Sequence, residues 1–177
     1  MTVDLRIAGP DDAARLAALA ARTFPLACPP STTPEAIAEY LATELDAASF
    51  ARHLADADTT ILLAEQGGEA VAYTMLVAGE PDDADVVGAV AERPAVQLSK
   101  VYAGAETHGT GLTAELMRAS LELARESGAV VVWLGVSQEN ARAIRFYEKH
   151  GFRTAGTKRF RLGGRLEDDW IMARPLG

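Results

Sequence analysis

The sequence predicts a mixed α/β domain in which one central sheet carries helices on both faces. Two observations predict it. Apolar residues switch repeatedly between the two-residue and 3.6-residue periods, giving strand-like and helix-like segments in the order β-α-α-β-β-β-α-β-α-β-β. The chain has 177 residues, 49% hydrophobic and 24% charged, which is enough to close one such core.

Val3-Asp4-Leu5-Arg6-Ile7 alternates apolar and polar residues, the period of a half-buried strand. Pro10 opens a helix running to about Thr23, with Leu16, Leu19 and Ala20 on one face. Pro25, Pro29 and Pro30 are expected to break the chain after it. Thr33-Pro34-Glu35 restarts a helical pattern through Ile37, Tyr40, Leu41 and Leu45, and a second short helix holds Phe50 and Leu54. Thr59 to Glu65 reads as a strand, Gly67-Gly68 as a turn, and Val71 to Val77 as the hairpin partner. Gly79 to Pro94 carries Glu80, Asp82, Asp83, Asp85 and Glu92 and reads as a solvated loop, with a short turn at Val86 to Ala91. Val96 to Ala103 is a strand, and Leu112, Leu116, Ala119 and Leu123 mark the helix that follows. Ala129 to Val136 is a buried strand. Ser137 is expected to N-cap a helix to about His150, which Gly151 terminates. Strands at Phe152 to Leu162 and Leu166 to Ala173, joined at Gly163-Gly164, complete the chain.

Composition excludes several classes. No apolar run reaches membrane-spanning length, and Asp4 and Arg6 interrupt the stretch that a signal peptide would need. A single cysteine, Cys28, rules out an internal disulfide framework and fits the reducing cytoplasm. Three scattered histidines leave little material for a metal site, so no metal is expected. The net charge of −8 shows no basic stripe for nucleic acid and suits a cationic small-molecule partner. Exposed strands and the acidic loop are compatible with a homodimer.

The chemistry concentrates at His108-Gly109-Thr110-Gly111-Leu112-Thr113, between a strand and a helix. Glycines let backbone approach a ligand closely, and a helix N-terminus offers free N–H groups to phosphate. A P-loop is excluded, because Thr110 stands where its lysine belongs. Gly109-x-Gly111-x-x-Ala114 matches a dinucleotide fingerprint, so a dinucleotide-binding oxidoreductase is the alternative reading. Against it, Ser99 and Lys100 interrupt the preceding strand, and no acidic residue ends the next strand at the expected interval.

Gln97-Leu98-Ser99-Lys100-Val101-Tyr102-Ala103, the turn from His108 to Thr113, and Leu116-Met117 together resemble the acetyl-CoA signature of the GNAT N-acetyltransferases. Trp133-Leu134-Gly135-Val136, with Asn140, Ala143, Phe146, Tyr147, Gly151 and Phe152, is similar to that family's next strand and helix. The departure lies at His108 and Thr113, where the family's Q/R-x-x-G-x-G/A differs at its first and last positions. The resemblance implies a mostly antiparallel sheet of about seven strands and a single domain over 1–177, with its acetyl-CoA core at about 96–152. It implies that backbone of Val101, Tyr102 and Ala103 pairs with the pantetheine arm, and that N–H groups of His108, Gly109, Thr110, Gly111, Leu112 and Thr113 hold the pyrophosphate. Asn140, Ala143 and Tyr147 are three and four residues apart and share a helix face. On that face Asn140 would meet the pantetheine and Tyr147 the thioester sulfur.

The implied reaction is acetyl transfer to a primary amine, and a phenol is useful to it. The departing thiolate has an ordinary pKa of about 8.5 and a phenol one of about 10, so a positioned Tyr147 can protonate or stabilise the sulfur. The general base stays unassigned: Glu35, Glu39 and Asp169 are the available carboxylates and read as surface acids. Thr23-Phe24, the Leu98 to Tyr102 strand and Asp168-Asp169-Trp170-Ile171-Met172 resemble the bacterial polyamine or diamine branch. That branch would place Phe24, Glu35 and Asp169 at the acceptor. A non-catalytic acetyl-CoA sensor on the same fold is the further alternative.

Overall fold

The computed structural model describes residues 2–162 and 164–177, which build a seven-stranded sheet in the order β1-β2-β3-β4-β5-β7-β6. Its first half comprises β1 (Val3–Ile7), a 3-10 turn (Pro10–Asp12), α1 (Ala13–Ala27), α2 (Pro34–Glu44), α3 (Ala47–Ala55), β2 (Thr59–Gln66) and β3 (Glu69–Ala78). Next come α4 (Ala84–Ala89), β4 (Ala95–Ala103), a second 3-10 turn (Ala105–Thr107), α5 (Leu112–Glu126), β5 (Val131–Ser137), α6 (Ala141–Lys149), β6 (Arg153–Leu162) and β7 (Arg165–Pro175). Among these strands β4 and β5 alone run parallel; every other neighbouring pair is antiparallel. That topology bears out the mostly antiparallel sheet and overturns the dinucleotide alternative, which needs a doubly wound parallel one.

Strand alternation sorts the core into two faces. Leu16, Leu19 and Phe24 of α1 and Phe50 of α3 pack on Ile61, Leu63, Tyr73 and Met75. Val86 and Val90 extend this face over Trp133 and Ile171. On the other face Met117 and Leu121 of α5 meet Val132, Leu134, Phe152 and Met172, with Ile144 and Tyr147 of α6 packed against them. Arg6 ties β1 to the start of α1: its two terminal nitrogens each donate to Asp12 at 2.8 Å, and it also bonds Glu65 of β2, which accepts from Arg15 at 2.9 Å.

Three local expectations are corrected. Pro25 lies inside α1, which continues to Ala27. A proline in a last turn removes a single N–H, a loss that the buried face of the helix outweighs. The acidic stretch from Gly79 is not loop throughout: Asp83 accepts from the N–H of Asp85 and caps α4, which lets Val86 and Val90 bury. The cap of α6 is Asn140, whose Oδ1 accepts from Ala143 N at 3.1 Å. Ser137 cannot cap, because it is still in β5, paired with Asp169 of β7. The Gly163 half of the last expected turn lies outside the described residues. No described helix is long and apolar enough to cross a membrane.

Phe152 is fully buried where β6 begins, so Phe152→Ala should cost about 3–5 kcal/mol in urea unfolding. Hydrogen bonds from Arg6 hold the Asp12 carboxyl down at about 2. A depressed carboxylate stabilises above its unfolded pKa, and the benefit disappears as pH falls through the folded one. With Arg6 40% exposed, solvent screening reduces the contribution to about 1 kcal/mol. Asp12→Asn should therefore be less stable than wild type by that amount at pH 6, with the two converging between pH 4 and 2.

Candidate active site

β4 and β5 are hydrogen-bonded only from Ala95–Gln97 to Val131–Trp133, and past that point they separate. β4 continues to pair with β3, Tyr73 opposite Tyr102 and Ala72 opposite Ala103. Its other edge, from Leu98 to Ala103, therefore faces a gap. The register shifts between Met75 (opposite Lys100) and Leu76 (opposite Leu98), leaving Ser99 as the extra residue of a bulge. Bulges bend and twist a strand, and this one stands where the two strands part.

The glycine turn follows the far end of β4 and leads into α5. Gly109 and Gly111 have φ of +76° and +82°, and nothing lies within 4 Å of where a Cβ would stand on either. Only glycine adopts such angles without strain. His108 donates its N–H to Ala105 and Thr110 donates to Thr107, both at 3.2 Å, while Leu112 N–H reaches the Thr110 hydroxyl at 3.3 Å. Among the described residues the N–H groups of Gly109, Gly111, Thr113 and Ala114 find no protein acceptor. The expectation for His108, Thr110 and Leu112 is thus corrected, since the turn consumes their donors internally. The alternate residues, and Ala114 beyond them, keep theirs free at the N-terminus of α5.

A cleft of about 270 Å³ runs through the gap. Asn140, Ala143 and Tyr147 line it from α6, as their spacing predicts. Asn140 is also structural: besides its cap, its Nδ2 donates to Ala27 O at 3.5 Å. Phe24 lines the opposite side, stacked on Tyr40 at 4.8 Å and edge-on to Tyr102 at 6.0 Å, and Phe160 stands edge-on to Tyr40 at 5.8 Å. Val101 and Tyr102 line the cleft and Ala103 lies beyond it on the free edge of β4. Glu35 and Glu39 are exposed on α2 and do not reach it.

Asp169 is the larger correction. It is no surface acid: it is 7% exposed and lines the cleft, together with Glu167, Lys158 and Lys100. Burial lifts its carboxyl to about 6, Lys158 opposing and Glu167 and Asp168 reinforcing the rise. Burial also holds Tyr147 up at about 12 and Cys28 at about 11. It pushes Lys100 below its ordinary value, Glu44 opposing. Lys100 was legible in the sequence, because it stands two residues before Tyr102 and so shares its face. Tyr40, Phe160 and Lys158 had no such signal. Among the described residues no cluster of His, Cys, Asp and Glu could hold a metal.

Residues 17–152 match the family model described as Acetyltransferase (GNAT) family. An uncharacterised N-acetyltransferase of Mycobacterium tuberculosis is 48% identical over 165 residues, 93% of this chain and 98% of that one. The PaiA N-acetyltransferase of Thermoplasma acidophilum, in complex with coenzyme A, superposes with a TM-score of 0.78 at 16% identity, covering 99% of each chain. The ribosomal-protein-S18-alanine N-acetyltransferase of Escherichia coli gives 0.70 at 18% identity, covering 99% of this chain and 95% of that one. The parted strands, the glycine turn and the sheet order thus coincide with a match over most of the sequence, and the chain belongs to the GNAT family of acetyltransferases.

Proposed function

We propose that residues 1–177 form one catalytic unit that moves the acetyl group of acetyl-CoA to a primary amine by direct attack on the thioester. The observation that carries this reading is the gap between β4 and β5, with unpaired N–H donors at one end and Tyr147 along its length. The fit to the co-substrate is good. An extended amide-bearing arm suits the unpaired edge at Val101, Tyr102 and Ala103, with Asn140 alongside. A pyrophosphate suits the free donors of Gly109, Gly111 and Thr113, in the space that a Cβ would fill. Acetyl-CoA supplies an activated acetyl group on a thiol that leaves.

Tyr147 is the acid for that departing thiol. A phenol at about 12 stays protonated at every working pH and always has a hydrogen to give. Donation to a thiolate of ordinary pKa, about 8.5, would be weakly driven. The cleft corrects this, because the same burial holds the Cys28 thiol at about 11. A leaving sulfur subject to the same burial would be raised in the same direction, bringing it closer to the phenol.

The acceptor enters between Phe24, Tyr40 and Phe160, an aromatic wall suited to the alkyl stem of a small amine. Asp169 and Glu167 would draw the ammonium of a diamine or polyamine. Lys100 and Lys158 on the same lining favour a shorter acceptor with a single cationic end. A panel of amines in a thiol-release assay separates the two, and a silent sensor would stabilise with acetyl-CoA yet release no thiol.

Gly111→Glu places bulk and negative charge among the free donors, and the thermal shift that acetyl-CoA gives the wild type should vanish; a retained shift would place the co-substrate elsewhere. Tyr147→Phe should lower kcat by about a hundredfold while the acetyl-CoA dissociation constant, by calorimetry, stays within about twofold. Unchanged turnover would remove the assigned acid.

A further inference from the structure

Acid chemistry at the sulfur leaves the other half of the reaction unserved, since a primary amine is an ammonium at neutral pH and must lose a proton before it can attack. Resting on the acyl-transfer reading above, we propose that Asp169 is the base that accepts this proton. The position follows from strand parity. Trp170 and Met172 of β7 pack in the cluster under α5 and α6, whereas Ile171 packs with Val86 and Val90. Asp169 shares Ile171's face and so enters the cleft from the side opposite α6, which carries Tyr147. Base and acid therefore reach the cleft from opposite faces of the sheet, so the amine and the thioester sulfur can each have their own proton partner.

Gly135 makes the room. The Asp169 Oδ2 lies 3.4 Å from where a Cβ on Gly135 would stand, and the Lys158 Cδ lies 3.5 Å from the same point. A side chain longer than alanine at 135 would occupy the carboxylate's place. The groups facing Asp169 are few. Lys158 comes from β6, with its ammonium 3.9 Å from Asp83 at the cap of α4. Glu167 and Asp168 come from β7 itself, and Glu167 is 4.0 Å from Arg165. Neighbouring β5 brings Gly135 and Ser137, which do not titrate. Among the described residues Asp169 has no hydrogen bond and no ion pair within 4 Å. The carboxylate lines the cleft with its oxygens uncommitted to any protein donor, so an arriving ammonium can meet them directly. Its value of about 6 suits the task, ionised at neutral pH and still able to hold a proton.

The protons balance. The ammonium gives one to Asp169, and the neutral nitrogen forms its bond to the acetyl carbon as the carbon–sulfur bond breaks. The sulfur takes the Tyr147 proton, and the amide nitrogen's surplus proton restores Tyr147. Asp169 returns its own to water, one proton per turnover.

Asp169→Asn and Asp169→Ala are compared with wild type by thiol release across pH 5 to 9.5, for every panel amine the wild type acetylates and for trifluoroethylamine, which is largely neutral at pH 8. The expected result is a fall in kcat of about a hundredfold for strongly basic amines, with acetyl-CoA affinity by calorimetry unchanged. The acidic limb near pH 6 should be lost, and trifluoroethylamine should be far less affected. A variant that raises KM with kcat and the limb intact would make Asp169 a binding anion and overturn the proposal, as would equal loss for both kinds of amine. Wild type that binds acetyl-CoA but acetylates none of the amines would overturn the acyl-transfer reading itself.

Discussion

Three residue pairs of parallel ladder, Ala95–Gln97 against Val131–Trp133, are the constraint on which the site depends. They hold β4 and β5 together at one end, and everything functional follows from their stopping there. Had the ladder continued, Leu98 to Ala103 would spend their backbone groups on β5, and no arm could lie between the strands. Had it been absent, the two halves of the sheet would lack a joint. The bulge at Ser99 and the helices on each face keep the parted strands apart without leaving an empty core.

The same geometry explains why the interior of the cleft shifts its titrating groups so consistently. Aromatic side chains from α1, α2, β4 and β6 close one side, and α6 closes the other. Burial along this length deprives charged forms of part of their solvation. A carboxyl and a phenol are both driven up, and a lysine down, by one cause acting on three chemistries. The acid and the base owe their assigned roles to shared burial more than to pairwise contacts.

How far the sequence disclosed this depended on how local each feature is. The glycine turn, the helix face of Asn140, Ala143 and Tyr147, and the alternation in β4 are encoded within a few residues and were legible. Ser137 and Asn140 are both good caps, and the choice between them is made by β7, some thirty residues later, which keeps Ser137 in its ladder. Asp169 read as a surface acid because it ends the acidic run Glu167-Asp168-Asp169; its neighbours in the fold are Gly135 and Lys158 on adjacent strands. The division of the turn into free and consumed N–H groups depends on two 3-10-type bonds that no residue pattern specifies.

Cys28 acquires a meaning from this environment. Its sulfur lines the cleft in which an acetyl thioester would be opened, and its thiol donates to the Phe24 carbonyl at 3.3 Å. A thiolate there would compete with any amine for the acetyl carbon, exchanging one thioester for another and acylating the protein itself. Held at about 11, only about one such thiol in ten thousand is ionised at neutral pH. The burial proposed to match Tyr147 to its leaving group would thus also spare the protein from its own acetyl donor, making selectivity for nitrogen over sulfur a consequence of the cleft's walls.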